Sequence, residues 1–348
     1  MQGKCGLYFT TYAGERQLFA TWTSRGWLAA LLLALALLPA YVGTYYVTIV
    51  NTVLISVMAA ASLNLLTGVC GQISLGHAAF MGVGAYGAAF ALTRGVPFIP
   101  GVLFGGLCAA VVGMFFGIPS LRLKGIYLAI ATLAAQLILQ FVFLHWDAVT
   151  GGSSGILLQH PVILGFDFDT HEKRYYLFLA ATVLVLLLLS NLMRSRFGRA
   201  FVAIRDYHLS AEIAGVSLFR FKLYAFAVSS FLAGVAGALL VHRTMKVSLD
   251  NFTIDMSISY LAMIIVGGLG SISGAVMGAV FLALLPVGLG MAAGSLSGVF
   301  PDITSQIAAL KEGVFGLVVI LFLIFEPEGL AHRWRLVKAY WKLYPFAH

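Results

Sequence analysis

The chain has 348 residues, of which 61% are hydrophobic and only 10% charged. A soluble globular domain carries about 25% charged residues, so this composition excludes a water-facing surface and places the chain in a bilayer. The net charge of +8 does not indicate nucleic acid, because the charges stand between apolar segments.

The apolar runs are continuous. A membrane-spanning barrel alternates polar and apolar residues instead, so the fold class is an all-α polytopic membrane protein. Residues 1–26 are polar and weakly basic, with Lys4, Arg16 and Arg25, and read as a cytoplasmic N-terminal segment. Arg25 and the run after it look a little like a signal peptide. Apolar character resumes directly into 47–66, however, so the run is read as a first membrane helix.

About ten spans divide the transmembrane domain over 27–330. Their approximate positions are 28–43, 46–66, 77–93, 101–118, 126–145, 175–193, 223–242, 256–268, 273–293 and 306–325. With both termini cytoplasmic, inside segments hold 15 of the 21 basic residues. These include Arg122, Lys124, six residues of the loop 194–222, and Arg333, Arg335, Lys338 and Lys342 of a basic tail over 331–348. The inverted orientation would violate the positive-inside rule.

Between the second and third spans stands "GQISLGH", residues 71–77. Gly71, Gln72, Ser74, Gly76 and His77 put polar groups and flexible backbone between two apolar helices. The stretch Gly68-Val-Cys-Gly71-Gln-Ile73-Ser74 has an echo 199 residues later, Gly267-Gly-Leu-Gly270-Ser-Ile272-Ser273. Glycine-interrupted segments in corresponding halves point to a two-fold repeat with broken or re-entrant segments. Gly270 and Ser273 therefore join the first group as candidates for a translocation path. Backbone amides freed by Gly71 and Gly76 would bind or gate a ligand.

Small residues recur every four positions at Gly105, Ala109, Gly113 and Gly117, and again at Ala225, Ser229, Ala233 and Gly237. Such ladders let helix backbones approach closely, within the chain or against a partner. Thr132, Gln136 and Gln140 form one stripe of the fifth span; Asn51, Thr52, Ser56 and Asn64 give the second span polar positions. Either set lines a pore or hydrogen-bonds between helices; Gln136 and Gln140 are retained as path candidates. Lys311 and Glu312 at the start of the last helix read as snorkelling to the interface. Cys5, Cys70 and Cys108 lie in no metal-ligand spacing and imply no disulfide framework.

The loop 194–222, "RSRFGRAFVAIRDYHLSAEIAGVSLFRFK", is too structured for a tether. A helix over Arg199 to Ile213 is expected, closed by Gly215 as a C-cap. Arg205, Asp206 and Glu212 mix charges beside Ala211 and Ala214, both expected to be buried. The loop suits either anionic lipid or the groove of a cytosolic protein. No GxxxxGK(S/T) motif occurs, so any ATP would be bound by another subunit.

Six stretches carry a family resemblance. They are "LNLLTGVCGQISLGHAAFMGVGAYGAA" (63–89), "LRLKGIYLAIATLA" (121–134), "TGGSSGI" (150–156), "GRAFVAIRDYHLSAEIAGV" (198–216), "FKLYAFAVSSFLAGVAGAL" (221–239) and "IVGGLGSISGAVMGA" (265–279). The chain resembles the LivM-type permease subunits of bacterial branched-chain amino acid ABC importers. That resemblance implies a multi-pass inner-membrane subunit paired with a paralogous LivH-type permease. It also implies two cytosolic ATPase subunits carrying ATP and Mg, with no cofactor bound by this chain, and a periplasmic substrate-binding protein. The substrate implied is a small amino acid; related members carry urea, short amides or aromatic acids. Segment 198–216 is similar to the coupling loop, making Arg205, Asp206, Ala211, Glu212 and Gly215 ATPase-coupling candidates. The glycine follows Glu212 at shorter spacing than in the Glu-Ala-Ala loop of the wider importer class.

Two other classes stand beside this one. A secondary transporter or channel would share the spans and breaks, but does not need the structured inside loop. An intramembrane serine hydrolase would use Ser74 and His77, for which the sequence offers no third group, and Ser74 does not stand in a GxSxG elbow.

Overall fold

Each of the ten apolar stretches is helical in the computed structural model, which describes residues 22–120, 123, 125–163, 165–296 and 303–343. Helix α1 runs Trp22–Tyr41, and α2 runs Thr44–Asn64 and ends in a π-helical turn, Leu65–Val69. Then come α3 (His77–Thr93), α4 (Phe98–Ser120) and α5 (Ile126–His145). Helix α6 (His171–Arg194) leads into two short loop helices, α7 (Arg196–Asp206) and α8 (His208–Ile213). The chain returns through α9 (Leu218–Thr244), α10 (Ile254–Gly267), α11 (Ile272–Leu296), α12 (Ile303–Phe325) and α13 (Leu330–Leu343). Lys4, Cys5, Arg16, Arg122 and Lys124 lie outside the described residues, as does the side chain of Lys311.

Among the described residues, seven helices are long and apolar enough to cross a membrane, or eight if α12 and α13, bent by 50° at their junction, count as one span. The expected ten is therefore slightly high. The apolar part of α1 and the whole of α3 are 17 residues each, at the short end of what a bilayer needs. The stretch assigned to a basic tail forms α13 as far as Leu343.

Helices α3, α4 and α9 pack against one another along the two small-residue ladders, so both ladders serve contacts within the chain. A Cβ on Gly84 would stand 2.1 Å from the Gly234 Cα. One on Gly105 would stand 2.2 Å from the Gly84 carbonyl oxygen, and one on Gly237 would stand 2.0 Å from that of Met81. Lipid tails are as apolar as leucine, so helix association here depends on this close backbone approach. Helix α2 is buried over most of its length between α6, α9, α10 and α11.

The ends of the helices are closed by local chemistry. Thr170 caps α6 by accepting from the Lys173 amide, Ser195 caps α7 through Phe197, and Thr253 caps α10 through Met256. At the end opposite the α7–α8 loop, strand β1 (Ile156–Leu157) pairs antiparallel with a later strand, Lys246–Val247. Strands β2 (Val162–Ile163) and β3 (Phe166–Asp167) form a second short ribbon; the strand at Lys246–Val247 is β4.

The packing predicts a sharp contrast between two glycines. Gly84→Ala should overpack the α3–α9 contact at a cost of about 1–3 kcal/mol. It should lower the thermal midpoint of the detergent-solubilised protein. Gly288→Ala, whose Cβ would meet nothing within 4 Å, should leave the midpoint unchanged.

Candidate functional site

The π-helical turn ends α2 with the Cys70 amide donating to the Leu65 carbonyl at 3.1 Å. Gly71 then takes a positive φ of 73°, which reverses the chain without the clash a Cβ would bring. Residues 72–76 climb back into the bundle, and α3 begins at His77 beside Ala59 and Ser62 of α2. Ser257, which also touches this start, lies ten residues before Gly267 in α10. At 1.5 Å per residue, α3 therefore begins about 15 Å above the loop end of α10.

A helix start at that depth leaves amide groups without intrahelical partners. Side chains from other helices meet them. Thr132 of α5 accepts from the Leu75 amide at 2.9 Å, and Ser257 accepts from Ala78 at 2.8 Å. Gln136 Oε1 accepts from Ala79 at 2.8 Å, while its Nε2 donates to the Phe252 carbonyl at 2.9 Å. Gln140 donates to the same carbonyl at 3.0 Å. The amides of Leu75, Ala78 and Ala79 are thus already occupied by side chains of neighbouring helices. Gln136 and Gln140 act here as braces between helices.

His77 is buried, with Nε2 3.1 Å from Ser62 Oγ and 3.0 Å from the Ala59 carbonyl oxygen. Its ring meets Tyr260 edge-on at 6.1 Å. Ser74 is also buried, and its hydroxyl has no hydrogen-bond partner among the described residues. The Ser74–His77 pair is therefore not assembled as a hydrolytic dyad. Gln72 is buried against Cys70, and its carbonyl accepts from Thr67. Gly76 lies so close to α5 that a Cβ would stand 2.5 Å from the Thr132 carbonyl oxygen.

The second break, between α10 and α11, lies directly against the first. Gly270 has φ 78°, matching Gly71. A Cβ on Gly68 would fall 2.3 Å from the Gly270 amide nitrogen. Asn64 fastens the two together: its Oδ1 accepts from the Gly270 amide at 2.9 Å, and its Nδ2 donates to the Ser271 carbonyl at 3.0 Å. Ser273 is exposed and reaches Ser271 Oγ at 3.0 Å. Ser74 and Ser273 are thus equivalent by sequence echo but differ in environment.

The inside loop departs from the single helix expected over Arg199 to Ile213. Tyr207, extended at φ −152° and ψ 90°, divides it into α7 and α8. Helix α7 is amphipathic and seats Phe201 and Ile204 in the bundle. Helix α8 projects away, with Ala211 buried and Tyr207, Leu209 and Ile213 exposed by 74%, 62% and 89%. Glu212 and Ala214 are exposed too; Ala214 is not the buried residue expected. Gly215 closes α8 at φ 85°: its amide donates to Glu212, and that of Val216 donates to Ala211. This pair of bonds is the Schellman arrangement, which favours glycine at the left-handed position.

Arg205 points back toward the breaks rather than outward. Its Nη1 donates to the Gly68 carbonyl at 2.8 Å, and its Nε pairs with Asp206 at 2.9 Å. Sequence reasoning did not single out Ser257, and it left Asn64 between lining a pore and hydrogen-bonding between helices. An asparagine inside an apolar helix signals a polar partner, but the partner's identity lies more than 200 residues away. The single helix expected over Arg199 to Ile213 held Tyr207 and Leu209 without singling them out; its division at Tyr207 leaves both exposed.

A profile of the branched-chain amino acid transport system permease component family matches residues 45–323. The high-affinity branched-chain amino acid transport system permease protein LivM of Escherichia coli is 30% identical over 330 residues, covering 87% of this chain and 74% of that protein. The probable LivM of Methanocaldococcus jannaschii is 26% identical over 234 residues, 66% of each chain. The probable LivH of the same organism is 32% identical over 160 residues, 45% of this chain and 50% of that one.

Gln136→Met keeps the volume of the side chain but orphans the Ala79 amide, while the Phe252 carbonyl keeps its bond from Gln140. An orphaned buried group costs about 1–3 kcal/mol. The variant should melt at lower temperature in detergent. An unchanged melt with weaker substrate affinity would make Gln136 a path residue instead.

Proposed function

Since the chain belongs to the permease-component family of branched-chain amino acid transport systems, we propose that it forms half of the translocation pathway of an ATP-driven importer and docks on cytosolic ATPases through α8. The observation that carries this reading is the exposed apolar face of α8. Residues 206–217 contain Asp206 and Glu212 but no lysine or arginine. A helix lying on anionic lipid needs basic residues, so Tyr207, Leu209 and Ile213 suit a protein groove.

The chain is a multi-pass membrane transport subunit, and its sequence has no phosphate-cradling loop. ATP and Mg are accordingly assigned to two separate ATPase subunits. A paralogous LivH-type permease completes the pathway, and a periplasmic binding protein delivers a branched-chain or related amino acid. The setting is the bacterial inner membrane. The path is assigned to the surface of the two breaks, where Gly71, Ile73 and Ser273 are exposed. A secondary transporter would leave the exposed face of α8 without a role.

Affinity purification of the tagged chain from cells expressing the whole transport system tests this. ATPase subunits should co-purify stoichiometrically; a lone homo-oligomer would contradict the reading. Gly215 gives a finer test. Valine at its left-handed backbone costs about 1–2 kcal/mol, whereas asparagine tolerates it. Gly215→Val should lose ATP-coupled uptake with the membrane fold retained, and Gly215→Asn should keep it.

A further inference from the structure

The two breaks and the loop meet at one point, and the side chain of Arg205 touches all three. Arg205 is the next-to-last residue of α7, three residues before α8 begins. Its guanidinium donates to the Gly68 carbonyl of the first break. Its stem lies against Gly71, where a Cβ would stand 2.9 Å from Arg205 Cγ. Its Nη1 also abuts the second break, since a Cβ on Gly270 would stand 2.6 Å from it and 3.0 Å from the Gly68 carbonyl oxygen. Glycine at 71 leaves room for the stem, and glycine at 270 leaves room for the guanidinium.

The chemistry favours a held contact. Gly68 lies in the last turn of a long helix, where carbonyls lack intrahelical donors and the helix dipole attracts a cation. Asp206 fixes the plane of the guanidinium from the other side. A planar fork makes both bonds at once; the single ammonium of lysine does not reproduce that geometry. The contact is still open to the loop side, with 37% of the Arg205 side chain exposed. Asn64 then carries the connection onward, because it ties α2 to the Gly270 amide and the Ser271 carbonyl.

Resting on the docking reading of α8, we propose that Arg205 is a positioning residue that links α8 to both helix breaks at once. A displacement of α8 by its partner shifts the α7–α8 corner. Arg205 passes that shift to the Gly68 carbonyl and the backbone beside Gly270. Through Asn64 the ends of α2 and α10 and the starts of α3 and α11 respond together. The loop thus moves two breaks through one guanidinium.

The test uses the whole importer in liposomes, with its ATPases, its periplasmic binding protein and radiolabelled leucine as probe. Leucine transported per ATP hydrolysed is measured for the native complex and for R205K, R205Q and N64A. The ratio should fall at least about ten-fold in R205Q, the scale of one lost charge-assisted hydrogen bond. R205K should fall between R205Q and the native complex. N64A, which unfastens the second break without touching Arg205, should also lower the ratio, and it decides the matter if R205Q does not assemble. A native ratio in R205Q, or in N64A where R205Q cannot be obtained, would overturn the proposal. So would slower uptake matched by equally slower ATP hydrolysis. Failure of the native complex to couple leucine uptake to ATP would instead refute the importer reading itself.

Discussion

A bilayer offers no water to an unpaired amide or carbonyl, so an interruption in a membrane helix must be satisfied by the protein. The architecture around the two breaks follows from this. Starting α3 in the interior leaves the amides of Leu75, Ala78 and Ala79 without partners in their own helix. Thr132, Gln136 and Ser257 are placed on α5 and α10 to accept from them. Asn64 performs the same duty for Gly270 and Ser271. Arg205 does it for Gly68 from outside the membrane helices.

The rest of the bundle makes that satisfaction possible. Side chains reach a neighbouring backbone only if helices lie close, and α3, α4 and α9 lie close because glycine faces glycine or a bare carbonyl. Packing and polar bracing therefore act as one system. The glycine ladders bring α3 into position, and the braces fix the depth at which it starts.

Much of this was legible in the sequence for physical reasons. Span positions follow from the length of apolar run a bilayer requires, and the echo of Gly68 to Ser74 at Gly267 to Ser273 marked both breaks. Their juxtaposition across the bundle also followed from the repeat. What was not legible depended on contacts distant along the chain. Gln136 and Gln140 pointed equally to a pore or to a brace, because a glutamine's sequence neighbours do not reveal which backbone it will meet. Arg205 read as a docking residue because it stands in the segment similar to a coupling loop. Only the fold shows it turned inward, which the glycines at 71 and 270 allow. The division of the loop at Tyr207 was hidden because nothing in that residue type forbids a helix.

Joint movement of the two breaks with the loop is the claim on which the functional reading turns. Hydrogen–deuterium exchange on the assembled importer measures it most directly, comparing the nucleotide-free complex with one holding a non-hydrolysable ATP analogue. Peptides covering 70–76 and 268–274 should change their protection in parallel, together with those covering 205–215. A change confined to the loop peptides, with both breaks unaltered, would contradict it.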